Sequence, residues 1–154
     1  MKKISLFALL FFAINSLFAQ KMLKSESDVP TAIVDVFKKD FKDAQNVTWY
    51  KDRHHFYAAY LNKENMERMA FYNDKNVMEK SRMEIKKEDI PTDVFAKMEP
   101  NMKKKGDRRY FKEVFSNGKY EYWVQTYMDA KDVDVEIFND DGSLFVEKIE
   151  HKHT

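Results

Sequence analysis

Asp28-Val29-Pro30-Thr31 returns as Asp89-Ile90-Pro91-Thr92, and Phe71-Tyr72-Asn73-Asp74 returns as Ile137-Phe138-Asn139-Asp140. Between these markers, Tyr57-Ala58-Ala59 is matched by Tyr122-Trp123-Val124. Order and chemistry are kept at all three places, which reads as a tandem duplication with repeats at about 28–85 and 89–150. Working outward from each Pro, Ile33, Val36, Phe37 and Phe41 share one helical face, while Asp35, Lys38, Lys39 and Asp40 take the other. In the second repeat Ile90, Val94, Met98 and Met102 step by four. Pro100 shortens or bends that helix, because it removes an internal hydrogen bond and clashes with the preceding turn.

Beyond each helix the apolar period changes to two. Val47-Thr48-Trp49, Tyr57 to Leu61, Met69-Ala70-Phe71 and Val77 to Ile85 are four expected strands. Arg109 to Ser116, Lys119 to Met128, Val133 to Phe138 and Ser143 to Glu150 repeat the series. Ser116-Asn117-Gly118-Lys119 and Asn139-Asp140-Asp141-Gly142 are hairpin signals, and short connections make neighbours antiparallel. The expected fold class is therefore α+β, a tandem repeat of one helix plus a four-stranded antiparallel meander.

Residues 1–19 read as an address. Met1-Lys2-Lys3 is a basic head, Ile4 to Ile14 an apolar run broken only by Ser5, and Leu17-Phe18-Ala19 a cleavage region before Gln20. The run is too short to span a bilayer, which needs about 20 apolar residues. The expectation is a cleaved signal peptide, cut after Ala19, and a mature domain over 20–154 in the periplasm or secreted, with no stable membrane insertion. Losing Lys2 and Lys3 takes the formal charge from +1 to −1, so no strong field favours nucleic acid. The 154 residues contain no Cys, which excludes disulfide scaffolds and thiol catalysis. Only three glycines are present, too dispersed for a dinucleotide fingerprint or a phosphate loop.

A leader ending in Phe-Ala-Gln, a helix opening on Val29-Pro30 with Ile33 and Phe37, and Val47 with Trp49 begin a recognisable series. Tyr57 with Ala59, Phe71 with Asn73-Asp74, and a second copy from Ile90-Pro91 through Tyr122, Val124, Ile137, Asn139, Asp140 and Gly142 complete it. This series resembles the PepSY-like domains of exported bacterial proteins, grouped with beta-lactamase-inhibitor-like proteins. The resemblance covers about 28–150 and rests mostly on core and turn positions. It implies a broad antiparallel sheet with helices on one side. It also implies a binding role, since PepSY domains accompany peptidase propeptides and the beta-lactamase inhibitory protein grips its target across a similar sheet. No inhibitory loop carries over onto this chain, and Lys75-Asn76 stand where the first hairpin would ordinarily have Gly.

Groups capable of chemistry are sparse. His54 and His55 are adjacent on an extended segment and point to opposite faces, and His151 with His153 lies on a terminal tail. Asp132, Asp134 and Glu136 alternate, but a calcium loop would need Gly at Ile137 and an acid at Ser143. They read as the polar side of a half-buried strand whose other side is Val133, Val135 and Ile137. Lys103-Lys104-Lys105 with Arg108-Arg109 reads as a solvated turn, and the Glu113 and Glu121 pair as charge on a wet sheet face. No serine sits in a nucleophile elbow, so no enzyme and no metal or other cofactor is expected.

The aromatics carry the functional expectation. If Tyr57, Ala59 and Leu61 face the helix, then Phe56 and Tyr60 face away; if Tyr122 and Val124 face inward, Trp123 and Tyr127 face outward. With Tyr72 and Phe138 added, six rings would line an uncovered sheet face that should otherwise be polar. The expected function is an exported, non-enzymatic protein-binding module, inhibitor-like or chaperone-like. Trp123, Tyr127, Phe138, Phe56, Tyr60 and Tyr72 are its contact residues, and its partner is an unidentified exported or periplasmic protein. Self-association would cover the same face. The alternative is a periplasmic small-molecule or ion-binding protein, favoured by a cavity lined by Tyr57 and Tyr122.

Overall fold

Pro30 and Pro91 stand at the N-caps of two helices, where a missing N–H costs nothing. The computed structural model describes residues 21–128 and 132–151. The leader over 1–19 and His153 lie outside the described residues. Helix α1 runs Thr31–Asp40 and buries Ile33, Val34 and Phe37. Val36, expected on that face, is exposed, and Val34 takes its place. Helix α2 runs Thr92–Met98 and passes into a 3-10 turn, Glu99–Asn101, that contains Pro100. Each helix is preceded by a 3-10 turn in which an Asp reaches back: Asp28 accepts from Ser25 N–H at 3.3 Å, and Asp89 from Lys86 N–H at 2.9 Å.

The strands are β1 (Lys21–Met22), β2 (Gln45–Lys51), β3 (His55–Leu61), β4 (Glu67–Asn73), β5 (Met78–Ile85), β6 (Asp107–Phe115), β7 (Tyr120–Tyr127), β8 (Asp132–Asn139) and β9 (Leu144–His151). They form one antiparallel sheet of nine strands in chain order. This corrects the expected fold class. The chain is not two units of a helix and a four-stranded meander but a single continuous sheet carrying two short helices. The reason is β5 and β6: across the expected boundary they pair from Lys80 with Phe115 to Ile85 with Tyr110, so the ladder never stops. Strand β1, pairing Lys21 with Lys51 and Met22 with Tyr50, adds a ninth member that periodicity did not reveal.

Both helices lie on the same side of this sheet. Under α1, Trp49, Ala58 and Ala70 stand in one register row. The two alanines leave room for Phe37, whose ring meets Trp49 and Tyr60 edge-on, each at 5.2 Å. Phe56 and Tyr72 complete that core. Under α2, Val94 and Met98 pack with Ile90 and Met102 on Tyr122, Val124 and Phe138. Gly142, in the β8–β9 turn at φ +86°, lies so close to α2 that a Cβ would come within 2.5 Å of the Val94 carbonyl oxygen.

Candidate functional site: the helix-free face of the sheet

The helices separate the six expected contact rings. Phe56, Tyr60 and Tyr72 lie in the core beneath α1, and Phe138 lies beneath α2. Tyr72 and Phe138 are 0% exposed. Trp123 and Tyr127 are on the opposite side, with Val133, Val135, Ile137 and Val146. The expected inward set in β3 is inverted: Tyr57 and Ala59 join Tyr50, Met69 and Phe71 on the helix-free side. Alternation defines two faces of β3, but both are equally apolar, so the period alone does not say which one a helix covers.

The helix-free side therefore has two apolar clusters of mostly buried side chains, one over β2–β4 and one over β7–β9, with Trp123, Tyr127 and Val146 half-buried at the second. Between them runs an ionic belt from β4 to β6. Glu113 accepts from Arg82 Nε at 2.8 Å and Nη2 at 2.6 Å on one oxygen, and from Lys80 Nζ at 2.9 Å on the other. Arg109 reaches Glu84 at 2.9 Å and Glu67 at 3.0 Å. The same cations lie over the rings. The Arg82 guanidinium carbon is 3.7 Å from the Trp123 centroid, Lys80 is 4.9 Å from Phe71, and Arg109 is 5.3 Å from Phe111. Aromatic surface that a second helix would otherwise shield is thus covered by positive charge at cation–π distance.

Of the belt residues, the sequence suggests Arg109 only as part of a solvated turn and Glu113 only as charge on a wet sheet face, and does not single out Glu67, Lys80, Arg82 or Glu84. Their signal was present as charge at period two, Lys80-x-Arg82-x-Glu84 and Arg109-x-Phe111-x-Glu113. It is indistinguishable from an ordinary wet sheet face until the strands are laid side by side. Glu113 and Glu121 are indeed in register, but Glu113 is buried and ion-paired rather than solvated. The basic run is split by strand alternation: Arg108 donates to the Met102 and Lys104 carbonyls and ties down the α2–β6 connection, whereas Arg109 enters the belt. Asp134 and Glu136, expected on a wet side, are 0% exposed on the helix side. Their register partners Thr126 and Val124 stand in line with the second core.

Burial acts on two carboxyls of this face, Glu67 and Glu121. It pushes the Glu67 carboxyl up, Arg109 opposes that, and Glu84 adds to it. Glu121 is likewise raised, by burial and by the Glu113 charge. At the β2–β3 turn, burial would raise Asp52. The Tyr57 hydroxyl, the His54 and His55 N–H groups and the His55 imidazole more than offset this, leaving its carboxyl below the ordinary value.

Tyr57 and Tyr122 lie on opposite faces, so the shared cavity that would favour the small-molecule alternative does not form between them. A cleft of about 610 Å³ opens instead at the β6–β7 and β8–β9 turns, bordered by Phe115, Asn117, Tyr120, Glu121, Asn139 and Asp141. Among the described residues no group of three or more His, Cys, Asp or Glu side chains is placed to hold a metal ion. No helix among them is long and apolar enough to cross a membrane.

No family model matches the chain, and no curated protein matches it. Solved structures do. A DUF2874 family protein of Bacteroides uniformis superposes with a TM-score of 0.67 at 14% identity, over 79% of this chain and 89% of that one. A protein of Bacteroides eggerthii inferred to be periplasmic gives 0.68 at 12%, over 79% and 88%. A BLIP-like protein of Bacteroides fragilis gives 0.61 at 16%, over 81% and 88%. The chain shares the fold of these proteins.

Proposed function

We propose that this chain is an exported, non-enzymatic binding module that holds a protein partner on the helix-free face of its sheet. The observation that carries this reading is the composition of that face. Two apolar clusters flank an ionic belt whose cations lie on aromatic rings, and Trp123 and Tyr127 remain partly exposed there. Aromatic and arginine side chains at the centre of a patch are typical of protein-binding surfaces. The signal-like leader and the fold shared with a BLIP-like protein and a protein inferred to be periplasmic support placement in the periplasm or beyond.

The test is capture of a partner from periplasmic and secreted extract by the mature protein, with Trp123→Ala as the comparison. The expected result is a saturable partner that Trp123→Ala binds at least about tenfold more weakly while its melting curve stays cooperative. Equal capture by both proteins, or a Trp123→Ala variant that is unfolded, overturns the reading.

A further inference from the structure

On the helix-free face two cations share one carboxylate. Lys80 and Arg82 both pair with Glu113, and Glu121, the next carboxylate in register, forms no ion pair with either among the described residues. The site is enclosed: Arg82 is 4% exposed and Glu113 1%. Arg82 uses Nε and Nη2 on Glu113, and its Nη1 has no acceptor among the described residues. Gln125, 2% exposed, has the same deficit. Its Oε1 accepts the Tyr127 hydroxyl at 2.9 Å, while Nε2 has no acceptor among the described residues. Glu121, Trp123 and Gln125 alternate along β7 and so share a face, and the Arg82 guanidinium lies over the Trp123 ring on that face.

Buried donors without acceptors are costly, and native proteins keep few of them. Here Arg82 and Gln125 keep one each on the same face of the sheet as the partly exposed Trp123 indole. We propose that the partner segment received by this face is acidic. A carboxylate seats on Arg82 Nη1, a carbonyl of the same segment accepts from Gln125 Nε2, and apolar side chains rest on Trp123 and Tyr127. Lys80 and Trp123, both partly exposed, move aside to admit it. The inference rests on the docking reading above and adds the chemistry of the partner to it.

A displayed library of random heptapeptides panned on the mature protein provides the probe. The wild type is expected to select peptides carrying Asp or Glu beside an aromatic or aliphatic residue. A synthetic Asp→Asn version of the best peptide should bind about tenfold or more weakly. The acidic peptide should lose a similar factor on Arg82→Gln and bind Glu113→Gln at least as tightly as wild type, because removing the shared carboxylate releases both cations. General unfolding cannot give opposite signs, and the Asp→Asn comparison on wild type decides the matter even if Arg82→Gln does not fold. Peptides that need Trp123 but bind equally well as Asp and Asn versions overturn the acidic partner and leave the docking reading standing. A selection with no peptide weakened by Trp123→Ala removes both.

Discussion

Asp52 shows how much one side chain can organise. Its Oδ1 accepts the His54 and His55 N–H groups, each at 2.7 Å, and its Oδ2 accepts the Tyr57 hydroxyl, closing the β2–β3 turn. A carboxyl held below its ordinary value contributes stability above the unfolded pKa of about 4, and loses it as pH falls through the folded value. Asp52→Asn is therefore expected to cost about 1 kcal/mol at pH 7 and to flatten the acid limb of a Tm-against-pH curve. Glu121 has the opposite sign. Its raised carboxyl contributes stability below about pH 4 that disappears as pH rises through the folded value. Glu121→Gln should thus melt higher than wild type at pH 7, with the difference closing by pH 3. A variant that melts lower at pH 7 would show that the Glu121 charge is compensated.

At the scale of elements, the hairpin turns separate local chemistry from packing. Gly118 and Gly142 both have left-handed backbones, at φ +82° and +86°. Gly118 faces open space, whereas Gly142 lies against the Val94 and Lys97 region of α2. Gly118→Ala is expected to cost about 1 kcal/mol, from backbone strain alone. Gly142→Ala should cost about 2 kcal/mol more, because the added methyl meets backbone that cannot turn aside. Urea denaturation of the two variants checks the difference. The equivalent turn in the first half uses Asn76, at φ +62°, with its N–H on the Asn73 carbonyl as Gly142 bonds Asn139. Asn tolerates that conformation better than other side chains, which is why the hairpin forms without glycine.

Across the whole molecule, the unbroken sheet couples the two cores, one beneath each helix. Trp49 lies in the first core and Trp123 on the helix-free side of the second half. Because β5 and β6 pair continuously, Trp49→Phe and Trp123→Phe proteins, each reporting through its remaining tryptophan, should show coincident urea transitions relative to circular dichroism. Separated transitions would mean that the halves unfold independently. Tyr72→Ala and Phe138→Ala should each cost about 3–5 kcal/mol, as the price of a large cavity in a packed core. Trp123→Ala should cost less, since its ring is partly exposed.

The eight strand segments and both helix starts were legible in the sequence, because they depend on local rules. A period of two marks extended backbone, a Pro at a cap starts a helix, and Asn or Gly permits a tight turn. What tertiary structure alone decided is which side of each strand is covered and whether the ladder stops. Phe56-Ala58-Tyr60 and Tyr57-Ala59-Leu61 are nearly equal in apolar surface and all six are buried, so only the seat of α1 over Ala58 and Ala70 decides which set packs beneath the helix. The same holds for charge. Arg82, Glu113 and Asp134 look like solvent-facing residues in the chain, and become buried only when neighbouring strands supply the partners and walls that make burial affordable.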